Sequence, residues 1–264
     1  MPYKNILIEK QGPALWITLN RPDALNSLSS ELAAEIGAAI ELGESDPAVH
    51  ALVFSGAGRA FCAGADLISI GGNAERDTPH VSLGAFLNEL GKVFSRIEAS
   101  PLPVIAAVNG LALAGGLELV LCCDLVIASH DAKFGDAHAN YGLLPGGGGS
   151  VRLPRKIGMP RAAYLMMTGK SVSAAEMKEA GLVAELAAPE DLVQRAQALA
   201  ETLAEKSRPG LSLIKEMVLA AQDASLETSL RRELEIMQTH SSSGDMAEGL
   251  AAFREKRKPQ FTDR

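Results

Sequence analysis

Short apolar runs bounded by turn residues open the chain. Residues 6–9 and 14–19 are two such runs, and Gln11, Gly12 and Pro13 between them favour a tight turn. Strands joined by so short a connection pair in antiparallel fashion. The pattern therefore predicts that the chain begins with a β-hairpin.

Longer segments with helical spacing follow these runs. Leu32, Ile36 and Ile40 recur every four residues, which places them on one face of a helix. Ser29 or Ser30 precedes this segment and favours a helix N-terminus, because a serine side chain can accept a hydrogen bond from a free amide. Strands and helices then alternate to about residue 149, after which helical patterns predominate. This order predicts an α/β fold.

A buried run at residues 104–108 leads into the most informative part of the chain. Small residues follow it, and a helix is predicted to begin at the Gly115-Gly116 pair with Glu118 in its first turn. The amides of a first helical turn have no partner within the helix, and the helix dipole adds positive charge there. Such an end attracts an oxyanion, and glycines leave the backbone open to a substrate.

A second strand followed by a small-residue turn lies upstream. Residues 51–54 predict a buried strand, residues 55–58 interrupt it, and residues 61–67 predict the start of a short helix. Small residues in that segment leave the Ala65 amide accessible. Two amides from two such turns would form an oxyanion hole around one substrate oxygen.

Glu118 is the predicted proton-transferring residue. Its neighbours Leu117, Leu119 and Val120 leave little surface facing solvent, and burial raises the pKa of a carboxyl. A carboxyl with a raised pKa can exchange protons near neutral pH. The alternative is an ordinary acid on a helix surface, which the apolar neighbours disfavour.

Five short motifs are spread over nearly the whole chain. They are NRPDALN at 20–26, FCAGADL at 61–67, NGLALAGGLE at 109–118, PGGGG at 145–149 and FREKRKPQF at 253–261. Each is weak by itself, but their order resembles the crotonase family, the enoyl-CoA hydratase/isomerase superfamily of acyl-CoA enzymes. The resemblance implies an α/β fold of the ClpP/crotonase type, a spiral of strand-strand-helix units, with a C-terminal helical region that forms homotrimers or hexamers.

The same resemblance implies an activity and a set of site residues. The implied enzyme adds water to a 2-enoyl-CoA through an enolate that the amides of Ala65 and Gly115 stabilise, with no metal and no cofactor beyond the coenzyme A of the substrate. Asp66 is expected to cap the helix whose amide serves the oxyanion, with direct substrate contact as the alternative, and Tyr141 has a packing role as its alternative. The residues expected to line the acyl-CoA are Ala24, Leu25, Ala63, Ala65, Asp66, Leu67, Ile68, Gly116 and Tyr141.

One position departs from the family pattern. The family's hydratases have a second catalytic glutamate four residues after the Phe that corresponds to Phe134, and this chain has His138 there. Histidine titrates near neutral pH and can act as an acid or a base, so His138 is the second predicted catalytic residue. Asp136 could orient its ring. Double-bond isomerisation, hydrolytic cleavage by His138 and acyl-CoA binding without turnover are the alternatives to hydration.

Composition and charge narrow the class of partner. The formal net charge of −7 argues against a nucleic-acid surface. No uncharged apolar run approaches the roughly 20 residues of a membrane-spanning helix, so no membrane role is expected. The basic end is either a site for CoA phosphates or a solvated tail. Its residues are Arg254, Lys256, Arg257 and Lys258.

The remaining expectations concern compartment, metals and domains. Cys62, Cys122 and Cys123 lie in apolar runs without Cys-x-x-Cys spacing, so buried, reduced thiols are expected. The first strand is predicted to begin within a few residues of Met1, which leaves no room for a signal peptide, so a cytoplasmic location is expected. A metal site is conceivable from residue type alone at His130, Asp131, Asp136 and His138, but their spacing matches no standard ligand pattern. Residues 1–200 are expected to form the core domain, and residues 201–264 a helical region that packs on it and on neighbouring subunits.

Overall fold

A computed structural model describes residues 3–67 and 79–262. Within these residues the chain forms ten strands and ten α-helices. The strands are β1 (Ile6–Gln11), β2 (Ala14–Leu19), β3 (Ala51–Gly56), β4 (Ala60–Cys62), β5 (Val104–Val108), β6 (Leu111–Leu113), β7 (Leu125–Ser129), β8 (Lys133–Gly135), β9 (Ser171–Ser173) and β10 (Glu185–Ala187). The helices are α1 (Ser30–Ser45), α2 (Pro79–Glu98), α3 (Gly115–Leu121), α4 (Gly149–Ile157), α5 (Met159–Thr168), α6 (Ala174–Glu179), α7 (Leu192–Ala204), α8 (Arg208–Ala220), α9 (Leu226–His240) and α10 (Gly244–Glu255).

The opening hairpin and the first helix are confirmed. β1 and β2 pair antiparallel, with Ile6 opposite Leu19. Ser29 caps α1, since its hydroxyl accepts a hydrogen bond from the Leu32 amide at 3.2 Å. The predicted apolar face of α1, which includes Leu32 and Ile36, is fully buried.

Two sheets divide the strands between them. The larger sheet has the order β1-β2-β3-β5-β7-β10, and the smaller has the order β4-β6-β8-β9. Three consecutive strand pairs, β3 with β4, β5 with β6 and β7 with β8, each give one strand to each sheet. The chain therefore advances by one strand in both sheets at every repeat, as a spiral of strand-strand units does. Since β4 and β6 are neighbours, the segments that follow them lie side by side.

Both faces of the larger sheet are covered. Phe54 and its neighbours on one face belong to the main core, and Val53 on the opposite face belongs to a second cluster beneath α7. The Trp16 indole on that second face donates a hydrogen bond to Gln197 of α7 at 2.9 Å. The proposed division after residue 200 falls within α7, and it stays a prediction.

The C-terminal helices contact the core through few buried groups. Lys215 of α8 pairs with Asp124 at 2.8 Å and also donates to the carbonyl of Leu102 at 3.2 Å. α9 leaves apolar side chains exposed, among them Leu226 and Leu230. In the described ranges we find no helix with the length and apolar character needed to cross a membrane.

Candidate active site

The N-terminus of α3 lies directly against β4. Ala114 precedes the helix with a φ of +48° and a ψ of −119°, an uncommon turn conformation for a residue other than glycine, and the Gly115 amide leads the helix. A Cβ built on Gly116 would overlap the carbonyl oxygen of Cys62. Only glycine at position 116 lets the helix approach the strand so closely. The predicted helix start is confirmed, and the role of Gly116 toward a substrate stays a prediction.

Ala65 lies beside this helix start. It forms an isolated parallel bridge with Leu28, so the predicted helix start over residues 61–67 is wrong for Ala65. The amides of Leu28 and Asp66 bond across this bridge, each at 2.8 Å, and this alternation leaves the Ala65 amide unused. A Cβ built on Gly115 would lie 3.5 Å from the Ala65 nitrogen.

The amides of Ala65 and Gly115 thus share a small space. Among the described residues, neither donates a hydrogen bond to a protein group. Free backbone amides are uncommon in a packed interior, because an unpaired one costs free energy. Two of them this close together can bind one oxygen and stabilise its negative charge.

An ion pair holds the Ala65 segment in place. The Arg21 guanidinium bonds the Asp66 carboxylate at 2.6 Å, and both side chains are mostly buried. Asn26, fully buried, donates to the carbonyls of Ala57 at 2.9 Å and Ala60 at 2.8 Å. Arg21 and Asn26 both belong to the motif at 20–26, so a signal was present in the sequence, but the sequence analysis gave neither residue a role. Asp66 lies at the Arg21 guanidinium, and its predicted contact with substrate stays a prediction.

Glu118 is buried, as predicted, and only one of its oxygens is engaged. Its side chain is 3% exposed, and Oε1 accepts hydrogen bonds from the amides of Gly147 at 2.9 Å and Gly149 at 2.8 Å. Burial raises the pKa of this carboxyl, against the opposing effect of those amides and of His138. Among the described residues no group donates to Oε2. Oε2 is therefore the oxygen available to a water molecule.

A turn joins Asp136 to His138. Ala137 between them has a φ of +59°, which ends β8 and brings the His138 Nδ1 to 3.0 Å from Asp136 Oδ1. Burial by itself lowers the pKa of an imidazole, but the hydrogen bond to Asp136 and the charges of Asp136 and Glu118 outweigh it and raise the pKa of His138. The possible orienting contact from Asp136 is confirmed as a hydrogen bond, made through a turn and not along a regular strand.

Gly149 lies close to the carboxylates of both Glu118 and Asp136. A Cβ built on this residue would lie 3.1 Å from Glu118 Oε1 and 3.4 Å from Asp136 Oδ2. The glycine loop at 146–149, which the sequence placed at a helix start, leads directly into α4, whose first residue is Gly149. It brings the buried acid, the imidazole pair and the loop amides into one site.

Comparison with known proteins decides the family. The model of the family described as enoyl-CoA hydratase/isomerase matches residues 9–264. A probable enoyl-CoA hydratase of Rhizobium meliloti is 40% identical over 264 residues, the whole length of both chains. A crotonyl-CoA hydratase of Syntrophomonas wolfei is 36% identical and 99% of each chain is covered. The chain belongs to the enoyl-CoA hydratase/isomerase family.

The fold agrees with solved structures of this family. The crystal structure of an enoyl-CoA hydratase from Bacillus anthracis matches with a TM-score of 0.92 at 35% identity, and the match covers 98% of this chain and 99% of that one. The crotonase-type α/β fold expected from the motifs is confirmed. The catalytic role of His138, in place of the glutamate that the resemblance implies, stays a prediction.

The other predicted acyl-CoA residues differ in exposure. Ala24 ends a 3-10 turn, Pro22–Ala24, and Leu25 follows it with a φ of +50° and accepts a hydrogen bond from the Ala63 amide at 3.0 Å. Leu67 is 50% exposed and Tyr141 is 78% exposed, so neither is committed to packing within the chain. Ile68 lies outside the described residues. Contact of any of these with an acyl-CoA stays a prediction.

The basic end of the chain is partly neutralised. Arg257 pairs with Glu248 at 2.5 Å and with Glu255 at 2.6 Å, and Lys258 approaches Glu205 at 3.5 Å. Charge already balanced by carboxylates is less available to a phosphate. These ion pairs favour the interpretation as a solvated tail for Arg257 and Lys258.

Proposed function

We propose that this member of the enoyl-CoA hydratase/isomerase family adds water to a 2-enoyl-CoA thioester. The observation that carries the proposal is the pair of unused amides at Ala65 and Gly115, placed at the start of the helix that bears Glu118. An α,β-unsaturated thioester needs such a pair, because attack at the β-carbon moves negative charge onto the carbonyl oxygen. The S. wolfei relative is named a crotonyl-CoA hydratase, which supports this substrate class.

Each step of the addition has a residue to perform it. The thioester oxygen binds the amides of Ala65 and Gly115. Glu118 Oε2 accepts a proton from water as the water oxygen bonds to the β-carbon, and the electron pair of the double bond moves into the enolate. The protonated His138 ring gives its Nε2 proton to the α-carbon, and the enolate returns its electron pair to form the new C–H bond. Solvent then takes the Glu118 proton and reprotonates His138.

Histidine and glutamic acid donate a proton from different charge states. A glutamic acid donates when neutral, but an imidazole donates readily when it is cationic. Asp136 stabilises that cation at Nδ1 and leaves Nε2 with the second proton. The raised pKa of His138 extends the pH range over which this donor is present.

The test of the proposal is the reaction of the purified protein with crotonyl-CoA. We expect the enoyl-thioester absorbance to fall and mass spectrometry to find a product heavier by one water with the thioester intact. Retained absorbance together with measured binding of the ester would contradict the proposal and favour isomerisation of another substrate or binding without turnover.

The rate should depend on pH through two groups. The raised pKa of Glu118 places the acidic limb above the ordinary carboxyl range, because the carboxylate that accepts the proton is lost as pH falls through that pKa. The raised pKa of His138 places the alkaline limb above the ordinary histidine range, because the donor is lost as pH rises through it. We expect a bell-shaped kcat profile, and in His138→Ala a kcat about 100-fold lower without the alkaline limb.

His130→Ala serves as the control for this experiment. His130 is an exposed histidine near β8, outside the site. Its substitution should leave both limbs in place. If the pH profile of His138→Ala is unchanged, His138 has no part in the mechanism.

Thioester hydrolysis is the second candidate function. The Asp136–His138 hydrogen bond favours it, since a carboxylate-oriented imidazole can take a proton from water when neutral. As His138 takes its proton, water would add to the thioester carbonyl, and the tetrahedral oxyanion would bind the two amides. The C–S bond would then break as His138 passes that proton to sulfur, which releases a carboxylic acid and CoA thiol. A thiol reagent detects that product, whereas hydration releases none.

We further propose a trimer or a dimer of trimers, located in the cytoplasm and needing no metal or cofactor. Exposed apolar residues on α9 and α10 support the assembly, among them Leu226 at 77% and Phe253 at 83% exposure. Three free, buried cysteines support a reducing compartment. Light scattering of the purified protein would measure the assembly, and a monomeric mass would contradict it.

A further inference from the structure

The loop whose amides bond Glu118 is in turn bonded by a side chain of α4. The amides of Gly147 and Gly149 donate to Glu118 Oε1, and the carbonyl of Gly147 lies in the peptide between them. That carbonyl accepts a hydrogen bond from Arg152 Nη1 at 2.9 Å. One guanidinium nitrogen therefore anchors the stretch of backbone that presents both donors to the carboxylate.

Glu98 fixes the other side of the guanidinium. Arg152 Nε lies 3.1 Å and 3.2 Å from the two Glu98 oxygens, and Nη2 lies 2.8 Å from Oε2. The Arg152 side chain is 18% exposed and that of Glu98 is 31% exposed. Glu98 is the last residue of α2, so the contact ties this helix to the first turns of α4. A fork-like guanidinium is suited to such a two-sided contact.

The glycine content of the loop gives its backbone little rigidity of its own. Four consecutive glycines occupy positions 146–149, and Gly148 has a φ of +99°. Glycine backbone has more accessible conformations than any other residue, so a glycine run has little rigidity of its own. A Cβ built on Gly148 would overlap Arg152 Nη1, which shows that the guanidinium lies directly on the loop.

We propose that Arg152, held by Glu98, is a positioning residue that fixes the loop amides on Glu118 and thereby directs Glu118 Oε2 toward the reacting water. The inference rests on the proposed function for the role of Glu118. Arg152 acts through the Gly147 carbonyl, and among the described residues it forms no hydrogen bond with Glu118 itself. A displacement of about 1 Å at such a group can lower a rate by about 100-fold.

The main test is Arg152→Lys, which keeps the positive charge but cannot bridge Glu98 and Gly147 at once. We expect kcat for crotonyl-CoA to fall 10- to 100-fold, as estimated from the cost of misplacement, with KM changed less than about threefold. The loop amides lower the pKa of Glu118, so weakening their bonds should move the acidic limb to higher pH. A charge effect alone would leave that limb in place in the lysine variant.

Two further variants sharpen the result. Glu98→Gln should shift the limb in the same direction by a smaller amount. Arg155→Lys is the matched control on α4, because Arg155 forms an exposed pair with Asp223 at 2.8 Å and makes no contact with the loop in the described structure. It should behave as the parent. In Arg152→Ala, millimolar guanidinium should restore part of kcat, since a cavity of about 490 Å³ lined by Glu98, Gly148 and Arg152 gives it access.

A spectroscopic measurement separates this inference from the proposed function. In protein labelled with 13C at glutamate carboxyls, the Glu118 signal is the one absent from Glu118→Gln, and its titration gives the pKa directly. A higher pKa in Arg152→Lys would support positioning even if the parent does not hydrate crotonyl-CoA. Parent-like kcat and a parent-like Glu118 titration in Arg152→Lys would overturn it, as would equal effects in Arg155→Lys.

Discussion

Glu118→Gln should lower kcat for hydration by about 1,000-fold or more, within the range of general acid–base effects, while CoA-ester binding persists. Glutamine has the same shape, and its one oxygen can still accept from the amides of Gly147 and Gly149. Its amide nitrogen then replaces Oε2 and cannot accept the proton of water. The chemistry is lost and the shape of the site is kept.

Turnover and ligand binding, each measured beside one control variant, test this prediction. Turnover is followed with crotonyl-CoA, and binding is followed by calorimetry with butyryl-CoA, a saturated ester that cannot be hydrated. Glu179→Gln is the control, because this exposed glutamate ends α6 away from the site. Turnover in Glu118→Gln equal to that of the control would remove Glu118 from the mechanism.

Gly116→Ala should lower the free energy of unfolding by about 3 kcal/mol, the upper part of the range for overpacking a buried site. The new methyl group would overlap the backbone carbonyl of Cys62, and backbone atoms cannot rotate away as a side chain can. Relief requires α3 to move from β4. That movement also separates the amides of Gly115 and Ala65, so the residual folded protein should turn over at least 10-fold more slowly.

Urea denaturation of Gly116→Ala beside Gly91→Ala measures the effect. Gly91 lies in α2, and a Cβ built there meets no atom within 4 Å. Since alanine is the better helix former, the control should gain about 0.5–1 kcal/mol. Equal urea midpoints for the two variants would show that α3 is free to shift and would contradict the close packing of Gly116 against Cys62.

The features predicted from sequence are those that depend on near neighbours. Ser29 lies three residues before the amide it caps, and the leucines flanking Glu118 accompany it into the interior. Both follow from local spacing, so the starts of α1 and α3 and the burial of the acid were predictable. The small-residue turns predicted two amides aimed at one oxygen, and the family resemblance assigned them to Ala65 and Gly115. The structure adds that these two amides are adjacent and, among the described residues, unused.

The features that sequence reasoning missed depend on distant partners or on backbone conformation. Arg21 bonds Asp66 across 45 positions, and Arg152 bonds Glu98 across 54. No periodicity relates such residues, because the spiral alone brings them together. Ala137 takes a left-handed conformation that nothing in its residue type demands, and that turn is what joins His138 to Asp136.

The two unused amides follow neighbouring strands of one parallel ladder, β4 and β6, whose paired residues include Cys62 and Ala112. The spacing of parallel strands is about 4.8 Å whatever side chains they carry. The distance across the proposed oxyanion hole is thus set by the backbone, and a side-chain mutation that leaves β4 and β6 paired and α3 in place does not alter it. If the proposed function holds, side chains that select an acyl group can diverge between descendants of this chain while the pair of amides that would bind the thioester oxygen is inherited unchanged.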